Sequence, residues 1–148
     1  MNAVIFTFKK ALFYTFVYML LCSNKLLIHI IPFKKLILFY SNTSDSIESF
    51  TVEENKVKLI RHSVKRVRRL LFWTPVCFEQ SLTVLLLARF FGLPGSIYFG
   101  IYKSKNGKMI AHAWTRIGNY WVTGDALKDK FTVVYKVHYI PKDLVARL

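Results

Sequence analysis

Acidic residues are scarce in this chain, with eight Asp and Glu against 22 Lys and Arg. The resulting net charge of +14 at pH 7 points to an anionic partner: nucleic acid, a membrane surface or an acidic polypeptide. Cysteine is almost absent as well. Cys22 and Cys77 lie far apart in unlike settings, with no CxxC and no Cys/His spacing that would hold zinc. Neither a disulfide framework nor a metal site is expected, and no cofactor is implied. No internal repeat or low-complexity tract stands out. At 148 residues the chain suits one compact domain with an appendage, being too short for two ordinary domains.

What the chain has in plenty is apolar surface, 53% of residues, concentrated in the first forty positions. MNAVIFTFKK followed by ALFYTFVYMLLC has the basic and apolar regions of a secretory signal. Leu21 stands where a small residue would precede a cleavage point, and a second apolar run, LLIHIIPFKKLILFY, follows almost at once. Lys25, His29, Pro32, Lys34 and Lys35 interrupt both runs as membrane spans. Two helices are expected, Phe6 to Ser23 and Asn24 to Tyr40, the second kinked at Pro32. They would be buried against the domain or a partner, or lie at a membrane surface. Ser41 to Ser49 reads as a linker, so residues 1–50 form a hydrophobic helical region and 51–148 the main domain.

From Val52 to Phe72 apolar residues recur at Val57, Ile60, Val64, Val67 and Leu71, while Lys58, Arg61, His62, Lys65, Arg66, Arg68 and Arg69 fill the other faces. That spacing is an amphipathic helix with a basic outer side, either solvated or a docking surface for an acidic peptide or phosphate backbone. Thr74 and Pro75 suit the cap and first position of a new helix running through CFEQSLTVLLLARFF to Gly92. Apolar around most of its circumference, it is the expected central buried helix. Ile97 to Tyr102 reads as a strand, Lys105 to Lys108 as a turn, Ala126 to Lys130 as a loop, and Phe131 to Tyr139 as a last strand, with Pro141 ending regular structure.

Ile110 to Asp125 carries two β-rich runs joined by Gly118-Asn119, a hairpin signal. Counting outward from that turn sets His112 opposite Asp125, on one face and within hydrogen-bond reach. A carboxylate bound to one ring nitrogen fixes the tautomer and leaves the other nitrogen to take a proton. An alternative is a satisfied strand histidine with a turn aspartate, and a bulge would turn the two side chains to opposite faces.

Cys77 supplies a nucleophile. The start of a helix, with its free N–H groups and positive dipole end, favours a thiolate, and a nearby histidine assists. Cys22, inside an apolar helix, reads as a buried small hydrophobe.

CFEQSLTVLLLARFFGLPGSIYFGIYKSKNGKMIAHAWTRIGNYWVTGD resembles the core of the transglutaminase-like leader peptidases of lasso-peptide biosynthesis, within the transglutaminase-like and papain-like cysteine enzymes. The pattern is Cys, a Ser-Leu-rich helix ending in Gly-Leu-Pro, a glycine-bearing strand, a turn, His-Ala-Trp and a downstream acid. Ile31-Pro32-Phe33-Lys34-Lys35 is similar to an element near the start of such proteins. The resemblance implies an α+β fold, with a Cys-bearing central helix packed on an antiparallel sheet after hydrophobic N-terminal helices. It implies Cys77 as nucleophile, His112 as general base then acid, and Asp125 as orienting carboxylate.

The oxyanion would be met by the Cys77 backbone N–H, with Gln80 or Trp114 as a second donor. Gln80 stands where the family often has arginine, which leaves that position without an inherited role. The implied substrate is a ribosomally made precursor peptide. The implied partners are a leader-binding recognition protein and an ATP-using lasso cyclase, in the cytoplasm or peripherally at the inner membrane and without nucleic acid. Acyl transfer to an amine by a transglutaminase-type enzyme is the first competing function. A non-catalytic basic adaptor binding nucleic acid or membrane is the second.

Overall fold

In a computed structural model, which describes residues 2–42 and 50–145, the first apolar stretch forms one helix, α1 (Asn2–Ile30). The break expected at Ser23-Asn24 does not occur. Asn24 is fully buried, donates its amide to Thr83 Oγ1 at 2.9 Å and accepts from the Tyr40 hydroxyl at 2.5 Å. A polar residue with distant partners of that kind has no reason to turn back on its own backbone. The interruption comes instead at Pro32, which cannot donate a helical hydrogen bond, and α2 (Phe33–Tyr40) follows. Most of the stretch expected as a linker, 43–49, lies outside the described residues.

Helix α3 (Glu54–Val67) buries Val57, Ile60, Val64 and Val67, the expected stripe. It stops short of Phe72: Leu70 is 68% exposed and Phe72 90%, while Leu71, expected to continue the stripe, packs against the core from beyond the helix end. Helix α4 (Cys77–Phe90) also begins later than Thr74-Pro75 suggests. Its start is set by the buried Glu79, whose carboxylate accepts the Val76 N–H at 3.2 Å and the Trp73 indole N–H at 3.2 Å.

Four antiparallel strands follow, β1 (Gly95–Lys103), β2 (Met109–Ile117), β3 (Tyr120–Thr123) and β4 (Thr132–Tyr139), in the order β3-β2-β1-β4. The Gly118-Asn119 turn forms, with a positive φ of 50° at Gly118 alone. A 3-10 helix, Asp125–Lys130, replaces the loop expected between β3 and β4, and a short α5 (Lys142–Val145) follows Pro141.

The architecture is therefore α+β, with helices packed on an antiparallel sheet. Leu82 and Leu85 of α4 share a cluster with Ile97, Ala113 and Val137 of the sheet and Leu36 and Ile37 of α2. Val84 and Leu87 join Ile117 and Val122 with Val17 and Leu21 of α1 and the α3 stripe. Both N-terminal helices thus feed the core. Among the described residues α1, over Thr7–Ile30, is also the helix long and apolar enough to cross a membrane by length and composition.

Replacing Asn24 by Ala strands the buried Tyr40 hydroxyl, while Thr83 keeps its bond to the Glu79 carbonyl at 2.9 Å, and we expect a loss of about 1–3 kcal/mol in a denaturant titration. Burial pushes the Tyr40 hydroxyl up from 10.0 to about 12. The folded state then holds a proton that the unfolded chain releases near pH 10. This contribution to stability is complete below pH 10 and is lost as pH rises toward 12. The alkaline slope should be shallower in Tyr40→Phe.

Candidate active site

Cys77 is the first residue of α4, half-buried, and its side chain packs against the cluster containing Leu82, Leu85 and Ala113. Its backbone N–H belongs to the first turn, where the helical ladder offers no acceptor. Gln80, one turn on, is held at both ends: its amide donates to the Pro75 carbonyl at 2.8 Å, and its oxygen accepts from Arg68 at 3.1 Å. One N–H of the amide expected as an oxyanion donor is thus used by the turn that precedes the helix, and its second N–H remains.

His112 stands on β2 opposite Gly100 of β1. Its ring lies 5.0 Å from Phe131 and 5.8 Å from Trp114, centroid to centroid. Nε2 is 2.8 Å from the Gly124 carbonyl. A carbonyl only accepts, so Nε2 carries the proton in this arrangement, leaving Nδ1 as the basic nitrogen if the ring is neutral.

The expected opposition of His112 and Asp125 is not formed. Ile117 pairs with Tyr120 and Arg116 with Trp121 as counted from the turn, but a bulge then sets Thr115 against Thr123. The register moves by one, and β3 ends. Gly124, at φ +72°, turns the chain out of the sheet so closely that a Cβ there would lie 2.6 Å from the Ala113 carbonyl oxygen. That glycine presents its carbonyl to His112 and places Asp125 at the head of the 3-10 helix.

Side chains alternate along a strand. Ala113 faces α4, so His112 and Trp114 face the other side of the sheet, where Trp114 stacks on Tyr98 at 6.0 Å. The structure thus brings His112 to the Asp125 segment without joining it to the carboxylate, and leaves both His112 and the Trp114 indole across the sheet from Cys77.

Two features escaped the sequence. Ser96 Oγ and His138 Nδ1 lie 2.8 Å apart, buried on the His112 face. They stand directly opposite across β1 and β4, a pairing between strands far apart in sequence that no local pattern announces. The second is a groove beside α4, formed by two adjoining cavities of 480 and 380 Å³. Arg68 and Gln80 line both. Among the described residues no group of three or more His, Cys, Asp or Glu is placed to hold a metal ion.

Residues 39–136 match the family model described as the transglutaminase-like superfamily. The stretch runs from the end of α2 into β4 and takes in Cys77, His112 and Asp125, and the chain belongs to that superfamily. Its members include cysteine peptidases and transglutaminases, and their catalysis is in general cysteine-dependent. Searches of the curated proteins and of the solved structures find no match.

Gly124→Ala is expected to cost about 1–2 kcal/mol from the left-handed backbone alone, with more from the contact at Ala113. Thermal unfolding would read the stability loss, and the His112 ring resonances should move as the carbonyl shifts.

Proposed function

We propose that the chain is a cysteine peptidase that separates the leader from a ribosomally made lasso-peptide precursor, with Cys77 as nucleophile, His112 as base and acid, and Asp125 as orienting carboxylate. The observation that carries this reading is the position of Cys77, first residue of the central buried helix in a chain of the transglutaminase-like superfamily. The Cys77 thiolate attacks the carbonyl carbon at the leader–core junction. Protonated His112 delivers a proton to the departing amine, and water deprotonated by His112 then cleaves the thioester, returning free enzyme. The first-turn N–H of Cys77 is the assigned oxyanion donor.

On this reading the working state differs from the one described at β2. His112 must leave the Gly124 carbonyl and reach the α4 side, and Asp125 must turn toward it. A leader-binding protein and a cyclase complete the proposed pathway, and the outward side of α1 is the surface assigned to a partner or to peripheral contact with the inner membrane from the cytoplasm. The distance of His112 from the cysteine's face favours a second reading, a basic adaptor without catalysis.

Mass spectrometry of candidate precursors incubated with the full chain separates these outcomes. Hydrolysis at one junction is expected, with a roughly thousandfold or greater loss in Cys77→Ala and a comparable loss in His112→Ala. Crosslinking to an added amine would move the function to acyl transfer. Full activity in His112→Ala would remove the imidazole from the mechanism, an unimpaired Cys77→Ala would remove the cysteine, and neither cleavage nor crosslinking by the wild-type chain would leave the adaptor.

A further inference from the structure

The groove beside α4 carries more positive charge than the acidic groups around it balance. On the first half of α3, Lys56 is paired with Glu53 at 2.9 Å and Lys58 with Glu54 at 2.8 Å. On its second half and just beyond, Arg61, Lys65, Arg68 and Arg69 line the two cavities, and none forms an ion pair among the described residues. Asp125 is the acidic residue lining them.

Two of these cations are also fixed in place. Arg61 donates to the Trp121 carbonyl at 2.5 Å and Arg68 to the Gln80 side chain at 3.1 Å. A guanidinium has five N–H donors. One anchoring bond leaves the rest of the fork to offer a carboxylate, at little further entropic cost.

The other end of the groove is apolar, where Leu71, Phe72 and Trp73 line the larger cavity. Phe72 is 90% exposed and meets Trp73 edge-on at 4.8 Å. Gln80, common to both cavities, lies one turn along α4 from Cys77.

We infer that this groove binds an acidic segment of a peptide, its carboxylates held by Arg61, Lys65 and Arg68 and a neighbouring aromatic or aliphatic side chain by the Leu71–Trp73 wall. The inference rests on the peptidase reading for its consequence, since it would make acidity near the cut a determinant of the substrate. A nucleic-acid strand fits less well. It carries a charge at every nucleotide and would set phosphates against Asp125 and the apolar wall, whereas a peptide can alternate acidic and apolar residues to match both.

Binding to the full-length Cys77→Ala protein, followed by fluorescence anisotropy, tests the groove apart from turnover. The probes are a short labelled peptide of Asp, Glu and Leu, its Asn/Gln counterpart, a Lys-for-Glu counterpart, and a single-stranded oligonucleotide of matched charge. The acidic peptide should bind about tenfold tighter than its amide form. Lys65→Glu, at an exposed position, should erase that preference and favour the Lys-bearing peptide, while Lys9→Glu on α1 should not. Equal binding of acidic and amide peptides, an oligonucleotide that outcompetes the peptide, or a Lys65→Glu effect no larger than that of Lys9→Glu would overturn the inference. If the acidic peptide binds as expected but wild-type protein leaves every precursor uncut, the peptidase reading falls and the groove stands.

Discussion

A buried carboxylate decides where the central helix starts. Glu79 is 2% exposed and takes one N–H from Val76 and one from Trp73. Desolvating a carboxylate is costly without such donors, and the first turn of a helix, with its positive dipole end, is a place where the charge is tolerated. Gln80 beside it joins Pro75 to Arg68. These few bonds define the passage from α3 to α4. They fix the sulfur of Cys77 and the basic groove together, so the position of the nucleophile and the shape of the neighbouring surface are not independent.

Periodicity revealed the stripe of α3, the apolar α4 and the strands of the hairpin, because each buries a face whose spacing is local. It could not reveal that α1 is continuous, since Asn24 is satisfied by Thr83, 59 residues away, and by Tyr40. Counting outward from Gly118-Asn119 gave the first two cross-strand pairs and failed at the third. The bulge there accompanies Gly124, whose positive φ and close approach to Ala113 are tertiary facts. Half of the candidate site follows the same division: a cysteine heading a helix is legible from its neighbours, but the face on which His112 emerges depends on which side of the sheet α4 covers.

The charge surplus is likewise uneven. Acidic partners occupy the start of α3 and leave its second half cationic. Positive charge near a helix C-terminus is favourable to the helix, so the fold tolerates the unpaired groups, and their mutual repulsion is moderated by the water that reaches them. Their cost to stability is small compared with the binding energy that fixed guanidinium groups offer an anion in a groove.

The face problem at His112 locates where the molecule can yield. Met109, Ile110 and Ala111 are exposed, whereas Ala113, Trp114, Thr115 and Ile117 are buried, and β3 ends before it flanks His112. Only β1 holds this part of β2 in register. Rearranging it breaks ladder hydrogen bonds to β1, the bond to the Gly124 carbonyl and the ring contacts of His112 with Phe131 and Trp114, while moving Cys77 would dismantle the Glu79 turn and the cluster beneath α4. On the peptidase reading the sulfur is therefore the fixed member and the imidazole the adaptable one. A site completed only when a substrate draws the β2 edge across would gain specificity at the expense of rate, as induced assembly of a catalytic group does.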